Sequence, residues 1–204
     1  MAAREGVSTQ QEILQACARC FCREGYGRTS THRIAAEARV SQAALYHYFS
    51  GKEEMLLTLL LETVQPSVAF ADEMAAGPAD GGADAVVRLR RLCAFDARLL
   101  SEAPDNLGLL YFLPEVQGEA FARFHEERQQ LLRGYTRLVS DVLGVPLEDG
   151  RPQAELVLGL VESVITRRLF PRDEPATPSP DLPLQIADAA VALLVARQDG
   201  RTPR

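Results

Sequence analysis

The sequence predicts an all-α protein, with an N-terminal helix-turn-helix domain over residues 1–54 and a larger helical bundle over residues 55–204. Three observations predict it. Within Ser30–Lys52, STHRIAAEARVSQAALYHYFSGK, the positions Ile34, Ala35, Ala38, Val40, Leu45 and Phe49 are apolar or small at spacings that let two short helices cross closely. Beyond it, segment after segment carries apolar residues at helical spacing, with glycine or proline near the ends. Finally, charge changes sign along the chain. Residues 1–52 hold seven basic side chains against four acids, about +3, so the formal total of −6 leaves about −9 for the rest. An acidic average therefore does not exclude a nucleic-acid partner.

The first helix starts near Ser8 or Thr9, where Ser8-x-x-Gln11 and Thr9-x-x-Glu12 both fit a capping box, and it ends at Glu24 because Gly25 is free to take positive φ. Ile13, Cys17, Cys20 and Phe21 form its inner stripe. Ser30 or Thr31 caps the second helix and Ser41 the third. Ser50-Gly51-Lys52-Glu53 reads as a further capping box opening a long fourth helix, which Pro66 should kink or interrupt. On the third helix Gln42, Tyr46, His47 and Tyr48 lie between the core positions and are free to face outward, where a DNA major groove would be.

A chain of 204 residues supports one or two domains with a sizeable core. No apolar run precedes the first amphipathic segment and none reaches membrane length, so the expectation is a cytoplasmic protein with no membrane partner. Four cysteines, three of them in CARCFC, do not resemble a secreted disulfide framework. Cys17 and Cys20 are expected as small buried hydrophobes, with no metal and no cofactor. No HExxH, P-loop, GxGxxG or nucleophile-base constellation is present, and an enzyme is not expected.

The run Gly25-Tyr26, Thr29-Ser30, Ile34-Ala35, Val40-Ser41, Leu45-Tyr46-His47-Tyr48-Phe49 and Lys52-Glu53 resembles the DNA-binding domain of the tetracycline-repressor (TetR) family. The match covers the first quarter of the chain. It is specific, because a generic helix-turn-helix does not predict LYHYF followed three residues later by KE. The resemblance implies a homodimeric, ligand-responsive transcriptional repressor on a palindromic operator, with a divergent helical domain that binds a small effector and dimerises. It also implies a recognition helix from Ser41 to Tyr48, with Gln42 and Ala43 nearest the bases and Gln42 able to pair with adenine. Tyr46, Tyr48 and Lys52 resemble phosphate and groove-wall contacts; Ser30, Thr31 and His32 are further candidates, and His47 fits either role. Two positions depart from the family pattern. Arg39 stands where the turn normally carries glycine, and Ala43 where a glycine or polar residue is common.

Past residue 75 the reading comes from periodicity. GPADGG at 77–82 is a flexible connector, and the next helix, from about Asp84 to Glu102, carries Leu89, Leu92, Cys93, Asp96, Leu99 and Leu100 on one stripe. An acid on an apolar face needs a partner, a ligand or a raised pKa. NLGLLYFLPEVQ makes a short helix broken before Pro114, and a long helix runs from about Gly118 to Leu143 with Phe121, Phe124, His125, Arg128 and Tyr135 inward. Asp96, His125 and Arg128 are thus convergent polar groups in an apolar surround, the pattern of a bundle ligand site, with Cys93, Tyr111 and Phe112 as wall residues alongside Phe121 and Phe124. The alternative is that Asp96 and Arg128 pair with each other, or that one lies at the solvent edge of its stripe with its stem buried. The helix from about Gln153 to Phe170 and the last helix, with Ala187, Ala190 and Leu194, suit a symmetric dimer interface, the alternative being an intramolecular core, and the tail QDGRTPR should fray. Two rival functions remain open: a thiol- or metal-responsive regulator that uses CARCFC, and a helical binding protein that no longer reads DNA.

Overall fold

The computed structural model describes residues 8–77, 83–169 and 180–199; most of the predicted connector at 77–82, nearly all of the Pro-rich loop at 171–180 and the end of the tail lie outside them. All regular structure among the described residues is helical. The reading head consists of α1 (Thr9–Glu24), α2 (Thr31–Ala38) and α3 (Gln42–Tyr48). The bundle is built from α4 (Lys52–Ala75), α5 (Ala83–Glu102), α6 (Ala122–Leu143), α7 (Leu147–Arg167) and α8 (Leu182–Asp199). Between α5 and α6 the chain makes 3-10 turns over Leu107–Phe112, Pro114–Gln117 and Glu119–Phe121.

The serine caps fix where the first three helices begin. Ser8, Ser30 and Ser41 each hold extended backbone and accept from the N–H three residues on, at Gln11, Arg33 and Ala44. α1 stops at Gly25 with φ 88°. The turn after α2 is a Schellman motif: Val40 N–H bonds the Ala35 carbonyl at 3.0 Å and Arg39 N–H the Ala36 carbonyl at 3.2 Å. That closure demands a left-handed residue, and Arg39 supplies it with φ 59° and ψ 36°. For a residue with a β-carbon this conformation costs about 1 kcal/mol relative to glycine.

Five local expectations are corrected. The Ser50–Glu53 capping box does not form; Gly51 takes the cap position and Glu54 accepts instead from the Ser50 N–H at 2.6 Å and its hydroxyl at 2.7 Å. α4 runs through Pro66 without interruption, because Pro66 and Glu62, whose carbonyl loses its partner, both lie on the exposed side. The segment before Pro114 is 3-10 rather than α, and α6 starts at Ala122, four residues later than read from periodicity. α7 begins at Leu147 rather than Gln153: Gly150 is pressed against the Ser140 side chain and Pro152 faces solvent, so two residues that read as breakers are accommodated in its first turns.

In the bundle α6 is central, touching α4, α5, α7 and α8. Gly134 permits a close approach of α6 to α4, since a β-carbon there would lie 2.7 Å from that of Ala71 on α4. Ala187, Ala190 and Leu194, read as an interface between protomers, are instead fully buried within the chain, where α8 packs chiefly on α5. Their small volume lets two helices of the same chain meet closely. α1 contacts both α4 and the Leu107–Phe112 turn, which ties the reading head to the bundle at two places.

Candidate nucleic-acid interface and buried polar cluster

The core of the reading head is closed by Ile34, Ala35, Leu45 and Phe49, all nearly inaccessible. Because those positions turn inward, the side chains between them turn out. Ser41, Gln42, Ala43, Tyr46, His47 and Tyr48 are all exposed, Tyr46 at 51% and Tyr48 at 40%. Exposed tyrosines on so short a helix form a surface with apolar faces and polar tips, suited to a groove wall. Ser30 and His32 at the start of α2 are exposed and Thr31 is half-buried, its hydroxyl 3.0 Å from that of Tyr46. This bond joins α2 to α3 on the outer face. His47 and Tyr48 meet edge to face.

Lys52 is placed differently from a free phosphate contact. Its ammonium donates to the carbonyls of Tyr26 at 2.9 Å and Thr29 at 3.2 Å, and lies 4.2 Å from the centre of the Tyr26 ring. It therefore staples the α1–α2 loop to the start of α4, leaving one N–H donor for an external anion. A surface network also braces the head. Glu37 takes Arg19 on one oxygen and Arg33 on the other, each at 3.0 Å, and Arg33 also reaches Glu24. These bonds, Arg19's first, hold the Glu37 carboxyl below its ordinary range.

In the bundle, Asp96 on α5 is buried and accepts from the Ser67 hydroxyl of α4 at 2.8 Å and the Tyr135 hydroxyl of α6 at 3.0 Å. Burial pushes its carboxyl up to about 6 against the pull of those two donors. Arg128 pairs with Glu162 of α7 rather than with Asp96, and sits 5.1 Å from the Tyr111 ring centre. Tyr111 donates to Thr63 of α4 at 2.7 Å and packs on Phe124. Cys93 is fully buried, and desolvation first, with Asp96 adding to it, drives its thiol up. Phe121 and Phe124 are buried; His125 is half-buried and bonds the Val116 carbonyl at 2.8 Å. Phe112 turns outward at 65% exposure, away from the wall position read for it. The structure thus brings Asp96, Tyr111, Phe124 and Arg128 into one interior region with Tyr135, which the sequence placed inward without a polar role, and adds Thr63, Ser67 and Glu162, which the sequence reading missed. Pairings between helices leave no local spacing signal, although a tyrosine in an apolar stripe facing an acid was a visible hint.

The CARCFC thiols are poorly placed for chemistry. Cys17 and Cys20 are buried in the α1 stripe, and burial raises both, while that of Cys22 is pushed up to about 11. Protonated thiols are weak nucleophiles and weak ligands. Among the described residues no helix is long and apolar enough to cross a membrane.

Residues 13–59 match the model of the bacterial regulatory proteins of the tetR family. The HTH-type transcriptional repressor AcnR of Corynebacterium efficiens is 36% identical over 56 residues, covering 28% of this chain and 30% of its own length. So the chain aligns with less than a third of that repressor. The HTH-type transcriptional repressor SCO4008 of Streptomyces coelicolor is 30% identical over 142 residues, 70% of this chain and 67% of that protein. Among solved structures, Mycobacterium smegmatis AmtR superposes with a TM-score of 0.78 at 35% identity, covering 100% of both chains.

Proposed function

The chain belongs to the tetR family of bacterial regulatory proteins, and from that premise we propose that it is a homodimeric, ligand-responsive repressor of transcription. Residues 1–54 act as the reading head and 55–204 as the effector and dimer domain. The observation that carries the reading is the outer face of α3, where Gln42, Tyr46 and Tyr48 stand exposed on a helix fixed by the Ser41 cap and anchored by buried Leu45 and Phe49. A short helix held so firmly from behind is suited to entering a major groove. Gln42 reads a base edge, Ala43 contacts a thymine methyl, and Ser30, Thr31, His32, Tyr46, His47 and Tyr48 line the backbone.

Apolar side chains left exposed on α7 and α8, Leu156 at 57%, Leu193 at 42% and Val195 at 38%, support dimerisation through those helices. The effector occupies the region of Asp96, Tyr111, Phe124 and Arg128. Two hydroxyls of α4, Thr63 and Ser67, bond into that cluster, and the same helix begins at Lys52 beside the reading head. An effector that binds one arrangement of the cluster better than the other shifts α4 and so the separation of the two heads. The experiment is selection of bound duplexes from a random pool. An enriched inverted repeat with half-sites one or more helical turns apart supports the reading; only weak, salt-sensitive binding with no enriched motif contradicts it.

A further inference from the structure

Arg39 is the only non-glycine residue with positive φ among the described residues, and there its side chain makes no hydrogen bond or ion pair. The other basic groups around the turn are engaged. Arg19 pairs with Glu37, Arg33 with Glu24 and Glu37, Arg28 donates to the Glu24 carbonyl, and Lys52 to those of Tyr26 and Thr29. Glu37, two residues before Arg39 and lining the same shallow depression, pairs with two other guanidinium groups and not with Arg39. Glu12, the other acid of that depression, makes no ion pair with Arg39. Arg39 is thus an exposed guanidinium without a carboxylate partner, carried on strained backbone where glycine would relax the turn. Arg23 is also unpaired, but it sits in ordinary helical backbone in the last turn of α1. Strain that no internal contact repays points to an external partner. The partner's chemistry follows from the side chain: a guanidinium two residues ahead of Ser41, the cap of the helix whose face is exposed for DNA, matches a phosphate diester.

We propose that Arg39 contacts a DNA backbone phosphate flanking the half-site read by α3, an assignment that rests on α3 being the DNA-reading helix. The contact fixes the register of the head on the duplex and carries no base preference. Four proteins test it: wild type, R39G, R39Q and R39K, each titrated by fluorescence anisotropy over a salt series against a duplex enriched from a random pool by the wild type. Each is also melted without DNA. R39G should melt about 2–4 °C higher, because the turn relaxes, yet bind several-fold more weakly, with a slope of log affinity against log salt shallower by about 1. R39Q should lose the same slope without the gain in melting temperature, and R39K should keep the wild-type slope. Wild-type affinity and slope in both R39G and R39Q would overturn the proposal while leaving α3 as the reader. Failure of the wild type to enrich any duplex would overturn both.

Discussion

Replacing Asp96 by asparagine separates the burial of a charge from the bonds that surround it. Asparagine has the same shape, keeps an acceptor for the Tyr135 hydroxyl and offers an N–H to the Ser67 oxygen, so packing is unchanged. The carboxyl rises from 3.8 to about 6 on folding. The folded state therefore holds the proton more tightly than the unfolded chain, and stability falls as pH rises through that interval, then levels off. Two pKa units correspond to about 3 kcal/mol at neutral pH and above. Asp96→Asn should consequently be more stable than wild type by up to about 3 kcal/mol near pH 7.5, by roughly half that at about pH 5, and by little below about pH 4. Urea unfolding at several pH values reads this directly as a shift in midpoint at constant slope. A difference that does not vary with pH would refute the reasoning. So would an asparagine variant less stable than wild type at neutral pH, which would mean that the ionised carboxylate and its two donors stabilise the fold as a unit.

Other outcomes follow from the geometry. Gly134→Ala drives a methyl group into Ala71, and should destabilise the bundle by about 1–3 kcal/mol in thermal or urea unfolding; a neutral result would mean that α4 and α6 separate freely. Lys52→Met removes the staple across the α1–α2 loop and should lower stability by about 1–2 kcal/mol with no DNA present, whereas a residue serving only as a phosphate contact would leave the free protein unaffected. Native protein should expose no more than Cys22 to a thiol-specific chromogenic reagent, with Cys17, Cys20 and Cys93 reacting only on unfolding; fast reaction of Cys17 or Cys20 would return the cysteines to consideration as an input.

How far the structure could be read from the sequence varies with the range of the interactions involved. The reading head was legible because its determinants are local: Ser8, Ser30 and Ser41 sit three residues before the amides they cap, and Gly25 marks the end of α1. Arg39 was visible as a departure from glycine, and its left-handed backbone follows from the Schellman closure. Local rules failed where the chain had a second local solution. Pro66 and Pro152 lie inside helices because their rings face solvent, and Glu54 rather than Glu53 reaches back to Ser50. The bundle interior was half legible. Asp96 and Arg128 stood out as polar interruptions of apolar stripes, but their partners did not. Ser67 read as a small residue, Tyr135 as part of a stripe and Glu162 as an ordinary helix-surface acid, because only the packing of α4, α5, α6 and α7 brings them together. The alanines of α8 fit either an interface or an internal crossing by spacing alone, and α5 decides the matter by covering them.

Whether α3 reads bases from both halves of a dimer is decided by selecting duplexes from one random pool with wild type and Gln42→Ala in parallel and sequencing both. The wild type should enrich an inverted repeat, and the variant the same repeat with preference relaxed at one symmetry-related position in each half-site. Identical motifs from the two proteins, or a motif without twofold symmetry, would contradict it.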